Sequence, residues 1–463
     1  MSGIKKNIDR RDFLKFLGGA AALTTLSSCS SGGESTSEKS GKSSGKKSLN
    51  GKIEMRESAN GDQVGLLGYG CMRWPLLDTP AADGNVIDQE AVNDLVDYAL
   101  EHGVNYFDTA PVYLQGWSEY TMGVALSRHP RESYRIATKI SNFNASTWSK
   151  EGSIAMYKNS FEKLKVDYVD YLLLHSVGGG NWERFKTRYI DNGILDFAIE
   201  EREAGRVRNI GFSFHGDVTV FDYLLSRHDE IKWDFVQIQL NYVDWKYADP
   251  TRNINAEYLY TELEKRGIAV VVMEPLLGGR LATLPEHLSK RLLAERPDES
   301  IASWAFRYAA THKNVLTVLS GMTYLEHLQD NIGTYSDFEP ITEEENKLLM
   351  DTAKMLMEYP MISCTACQYC MPCPYGIDIP KTFSHYNKCI NEGNYPLSTQ
   401  DENYAAQRRA FLIGYDRSVP KLRQADHCIG CKKCVDHCPQ SIDIPSEMKR
   451  VNKYVESLKQ NKF

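Results

Sequence analysis

From Val64 onward the chain alternates short apolar runs with longer amphipathic stretches. The runs Val64–Met72, Tyr106–Ala110, Tyr134–Ile140, Tyr168–His175, Val207–Phe214, Phe235–Tyr242, Ile268–Glu274 and Val315–Gly321 have the length and β-rich composition of strands. Between them, Asp88–His102, Gly152–Lys165, Asp196–Ala204, Ala256–Arg266 and Ser300–His312 space their apolar residues at helical intervals. Near-continuous runs such as Val169-Asp170-Tyr171-Leu172-Leu173-Leu174 suit strands of a parallel sheet covered on both faces. Eight such strands over roughly 310 residues predict an α/β fold, a (β/α)8 TIM barrel over residues 51–361. A doubly wound sheet competes, but no G-x-G-x-x-G follows the first strand.

The pattern is different at both ends. Arg10-Arg11-Asp12-Phe13-Leu14-Lys15 precedes an apolar stretch, Phe16–Leu26, too short and too rich in Gly and Ala to span a bilayer stably. It resembles a twin-arginine export signal, and Leu26-Ser27-Ser28-Cys29 resembles the lipobox of bacterial lipoproteins. For residues 1–29 the two resemblances imply export to the periplasm or cell envelope and membrane attachment through a lipidated Cys29. Residues 30–50 are expected to be a flexible linker, because Ser30 to Lys47 contains no apolar residue to offset the entropy of ordering.

Composition adds two points. Asp plus Glu number 61 against 54 Lys plus Arg, a net charge of −7 that argues against a general nucleic-acid binder. Of eleven cysteines, Cys29 and Cys71 stand apart, while nine fall between Cys364 and Cys438.

Those nine define residues 362–463 as a second domain, predicted to be small and mainly helical. Cys364-x2-Cys367-x2-Cys370-x2-Cys373-Pro374 is followed by Cys428-x2-Cys431-x2-Cys434-x3-Cys438-Pro439. Each array runs on into Ile-Asp-Ile-Pro, and the copies lie 64 residues apart, or 65 at the fourth cysteine. Zinc is the competing metal, since C-x2-C pairs also build zinc sites. The repeat resembles the paired cluster motif of bacterial ferredoxins. That resemblance implies two [4Fe-4S] clusters, one on Cys364, Cys367, Cys370 and Cys438, the other on Cys428, Cys431, Cys434 and Cys373. The first array is one residue short of the usual spacing before its fourth cysteine. Cys71 and Cys389 are expected to be core thiols.

In a barrel the chemistry gathers at the carboxyl ends of the strands. Those ends carry Asp108, Lys139 and His175, and Tyr113 follows Asp108 by five residues. Each residue has a plainer reading: a turn cap, a solvent-facing strand end, a loop histidine, a rim aromatic. Their order resembles that of the aldo/keto reductases, and so do Gly116-Trp117-Ser118-Glu119, Gly211-Phe212-Ser213, Val236-Gln237 and Glu274-Pro275-Leu276. The resemblance implies Tyr113 as general acid/base, Lys139 and Asp108 tuning it, and His175 orienting the substrate. It also implies a nicotinamide cofactor, with Ser213 and Gln237 at its amide, Met273 against its ring and Asn331 at the adenine end. The chemistry is consistent: a reduced carbonyl needs a proton donor, and a nearby ammonium should bring a phenol near ~10 downward. The usual clamp for a 2′-phosphate is missing from Leu319-Ser320-Gly321-Met322, and His327 replaces an arginine, so NADP and NAD both stay open.

These readings combine into an exported oxidoreductase that interconverts a small-molecule carbonyl and an alcohol by hydride transfer and exchanges electrons with a redox partner protein. The alternative is a non-catalytic electron-transfer or docking subunit that uses the barrel as a scaffold. A metal-dependent hydrolase is a disfavoured third reading. Trp117, Trp148, Trp245 and Tyr247 are candidates to line the mouth.

Overall fold

The computed structural model describes residues 51–248 and 253–463. The export signal, Cys29 and the whole linker therefore lie outside the described residues.

The strands are β1 (Met55–Glu57), β2 (Gln63–Gly65), β3 (Leu67–Gly70), β4 (Tyr106–Asp108), β5 (Arg135–Ile140), β6 (Val169–Val177), β7 (Val207–Phe214), β8 (Phe235–Gln239), β9 (Ala269–Met273) and β10 (Val315–Ser320). Strands β3 to β10 close a parallel barrel in chain order, with β10 pairing back onto β3. All eight predicted strands are present. The first is divided: its opening residues form β2, which pairs antiparallel with β1, and only Leu67–Gly70 enters the barrel. Gly65 makes this break, since a Cβ there would lie 2.6 Å from the Gly103 carbonyl oxygen.

Strand periodicity builds the site. Successive side chains alternate between the barrel interior and the helical layer. Tyr106, Ala137, Tyr171, Leu173, Phe235 and Val271 fill the interior as one buried cluster. Two residues further along the same strands stand Asp108, Lys139, His175, Gln237 and Met273. The polar layer is therefore the top of the apolar stack, reached by keeping the same register.

The tail packs helices Ile379–Asn391, Tyr404–Ser418 and Ile444–Gln460 around Phe383, Tyr386, Phe411, Val451 and Leu458. It has no strand among its described residues. The repeated Ile-Asp-Ile-Pro phrase is a helix start. The Asp378 side chain accepts from the Lys381 backbone N–H and that of Asp443 from Ser446, each with proline in the first turn. Cys71 and Cys389 both lie in the core.

The tail sits over the carboxyl ends of the strands. Asn391 donates to the Thr283 carbonyl at 2.6 Å, and Arg73 donates to the Thr365 carbonyl. At Gly278 the chains approach so closely that a Cβ would fall 2.4 Å from Thr365 Cα.

Candidate active site and cluster cavities

At the barrel mouth, Lys139 Nζ donates to Asp108 Oδ1 at 2.6 Å and to the Thr109 carbonyl at 2.8 Å. Gln237 donates to the other Asp108 oxygen at 3.3 Å. Burial pushes the Asp108 carboxyl up and the Lys139 ammonium down, and their mutual attraction opposes both shifts. The ammonium lies 4.8 Å from the centre of the Tyr113 ring. The turn that presents Tyr113 is tight, with Leu114 and Gln115 at positive φ.

The expected lowering of the Tyr113 phenol does not appear in this geometry. Burial raises it well above its ordinary value, and Tyr369 and Asp108 add to the rise. The Lys139 charge is engaged by a carboxylate at hydrogen-bond distance, which leaves less of its field for the phenol. Tyr113 is accordingly held as a neutral phenol with its proton in place.

His175 is buried, and desolvation followed by the nearby Lys139 and Arg188 charges keeps its ring neutral. Ser141 Oγ lies 2.5 Å from its Nδ1, so a donating serine leaves the ring proton on Nε2. Arg188 and Tyr189 each reach the His175 carbonyl at 2.8 Å and hold the strand end in place.

A cavity of about 510 Å³ brings together Asp108, Tyr113, His175, Ser213, Gln237, Met273 and Asn331. Lys139 lies beneath its floor, 2 % exposed. Ser213 accepts from the Ser176 backbone at 2.8 Å, and Asn331 donates to Ser320 at 3.0 Å. The buried Gln237 Oε1 has no protein partner among the described residues, an acceptor suited to a carboxamide N–H. The four candidate rim aromatics line neither this cavity nor the larger one of about 960 Å³ beside it. Trp245 instead stacks on His312 at 4.5 Å, and Trp74 reaches the larger cavity.

The structure also brings in one residue that the sequence did not mark, and a second, Glu274, that it marked only within a motif. Tyr369, from the tail, places its hydroxyl 3.3 Å from His175 Nε2. Its position between Cys367 and Cys370 reads as mere spacing within a cluster motif, so no sequence signal pointed to it. Glu274, in the same cavity, has its carboxyl pushed up by burial to about 7.

The eight arrayed cysteines surround two small cavities. Cys364, Cys367, Cys370 and Cys438 line one; Cys373, Cys428, Cys431 and Cys434 line the other. Each fourth cysteine thus crosses to the other array. Burial pushes the Cys364, Cys367, Cys370 and Cys434 thiols up first, and neighbours within each set add to it: Cys438 acts on Cys367, and Cys373 on Cys434. No three His, Cys, Asp or Glu among the described residues converge on a single-ion site. Four sulfurs around a void suit a cubane better than zinc, which holds its thiolates at about 2.3 Å.

The comparisons with known proteins agree with this architecture. Residues 66–353 match the Aldo/keto reductase family, 363–443 the 4Fe-4S dicluster domain, and 7–27 the TAT (twin-arginine translocation) pathway signal sequence. An L-galactose dehydrogenase of Arabidopsis thaliana is 27% identical over 315 residues, covering 64% of this chain and 92% of its own. An NADH-specific methylglyoxal reductase of Escherichia coli is 25% identical over 301 residues, 56% of this chain and 86% of its own. Among solved structures, an aldo-keto reductase from Bacillus halodurans in its holo form superposes with TM-score 0.52 at 25% identity, covering 65% of this chain and 96% of that one. The chain belongs to the aldo/keto reductase family: it is an oxidoreductase bearing a twin-arginine export signal and a C-terminal iron–sulfur domain.

Proposed function

We propose that the barrel interconverts a small carbonyl and its alcohol, using NADP or NAD. A nicotinamide, when bound, gives or takes the hydride; the protein handles the proton and the substrate oxygen. The observation that carries this reading is the buried Lys139–Asp108 pair beneath Tyr113, with Tyr113 and His175 facing one cavity. Tyr113 donates its proton to the developing alkoxide on reduction and takes it back on oxidation. The Lys139 ammonium, held by Asp108, stabilises the phenolate so formed, and neutral His175 donates from Nε2 to the same oxygen. Gln237 and Ser213 fit the carboxamide, Met273 the ring and Asn331 the adenine end. Glu326, Asp330 and Arg73 all line the cavity, so its charges leave NADP and NAD both open.

The clusters, when bound, give or take single electrons, and the two sets of four cysteines hold one each. This makes the tail a route to a redox partner protein. Cys29, if lipidated, would tether the exported enzyme to the membrane.

The test is anaerobic NADH and NADPH oxidation against a panel of small aldehydes and ketones. Tyr113→Phe is expected to lower turnover by roughly 10²–10⁴-fold with iron content unchanged. Turnover equal to that of the parent protein would sink the assignment.

A further inference from the structure

The substrate oxygen in the proposed reaction needs an acceptor position between two donors, the Tyr113 hydroxyl and His175 Nε2. That position is already filled by an oxygen of the protein itself. Tyr369 Oη lies 3.3 Å from His175 Nε2, and its ring tilts against that of Tyr113. Where Ser141 donates to Nδ1, Nε2 carries the ring proton and the Tyr369 oxygen accepts from it.

The surroundings fix the ring there. Its centroid lies 6.4 Å from that of Tyr113, 6.2 Å from His175 and 6.0 Å from Phe143. Tyr369 and its neighbour Cys367 line both the nucleotide-side cavity and the larger outer chamber. The ring is therefore a partition between the two, standing where substrate carbon and nicotinamide must meet.

We propose that Tyr369 is a specificity-determining residue of the substrate site, supplied by the iron–sulfur domain, whose hydroxyl occupies the substrate-oxygen position until a substrate displaces it. The proposal rests on the carbonyl–alcohol reading of the barrel. Entry requires an oxygen able to take over the hydrogen bond to His175, so carbonyls, alcohols and carboxylates compete with Tyr369 and apolar molecules do not. A barrel of this family without the tail would lack this selection. The ring sits between two cluster cysteines, so its displacement also moves the loop that holds them.

The experiment compares the full protein with Tyr369→Phe, which keeps the ring and loses the oxygen, after iron analysis shows equal loading. Two probes are used: glyceraldehyde as a carbonyl under turnover, and acetate as a non-reacting oxygen acceptor followed by calorimetry. The expected result is kcat/KM for glyceraldehyde raised about tenfold and acetate bound about tenfold more tightly, one net hydrogen bond relieved. Tyr369→Leu should tighten acetate in the same direction, which guards against a fault peculiar to one variant. A tenfold loss of kcat in Tyr369→Phe would make Tyr369 a proton donor and overturn the proposal. Unchanged acetate binding in both variants would overturn it as well. If neither protein turns over any carbonyl but acetate tightens, the occupancy of the site by Tyr369 stands and the carbonyl–alcohol reading falls.

Discussion

The barrel and the tail solve the same problem, holding reactive groups in place, by opposite means. In the barrel the groups come from Asp108, Lys139, His175, Ser213, Gln237 and Met273, each on a different strand. No local motif positions them; eight strands in register do. In the tail the cysteines come in tight arrays, and the local chain positions three of each four. The barrel site therefore depends on the whole fold, whereas each cluster site depends on a short loop and one distant partner.

The strongest way to break the comparison is Cys438→Ala. If the crossing is right, this change removes the cluster of the first array, about 70 residues upstream in sequence, and leaves the second. Iron should fall from about eight to about four per chain, with the remaining EPR signal unchanged in shape. Loss of the second array's cluster instead would show that the arrays do not cross.

Next in size is Lys139→Ala, which strands the buried Asp108 carboxylate. A loss of about 3–5 kcal/mol in urea unfolding is expected, and adding Asp108→Asn should restore much of it. If the double variant is no more stable than the single one, the pair is not what holds that layer together.

The junction is tested by Gly278→Ala. The new methyl must push Thr365 away, and Gly278 has φ of 68°, so about 1–3 kcal/mol is expected. Limited proteolysis should release the tail sooner, and a tail equally resistant would show that the contact carries little.

The last test is a pH slope to which the barrel contributes through His312. Burial, with Arg56 adding to it, holds His312 down at about 4, while the unfolded chain titrates near ~6.5. The unfolded state takes up a proton over that window that the folded state refuses. The His312 contribution is thus fully present above pH ~6.5 and is lost toward pH 4, at about 1.4 kcal/mol per pH unit. His312→Gln should flatten the slope of urea midpoints between pH 7 and 5, whereas an unaltered slope would place the titration elsewhere.

The barrel was legible because strands such as Val169–Val177 are buried on both faces and read as near-continuous apolar runs. The tetrad was legible because a polar residue ending such a run has one place to go, the mouth. The β1–β2 hairpin was not: Gly65 sits within an apolar run, and only the approach of the Gly103 carbonyl shows why the strand must break there. The phenol's shift was misjudged because sequence shows that a lysine is present and not that a carboxylate has already engaged it. Tyr369 was hidden for a different reason. It lies 194 residues from His175 in sequence, and nothing in a two-residue spacer announces that a neighbouring domain will use it.

The crossing of the fourth cysteines bears on how such a tail could arise. Each half of the repeat holds three cysteines around its own cavity and lends the fourth to the other. A single half could complete neither set by itself. An ancestor with one copy would have been whole only as a two-fold symmetric pair of chains, each lending a cysteine to its twin. Duplication within one gene would turn that reciprocal loan into an internal one, after which neither copy could be lost without disabling both.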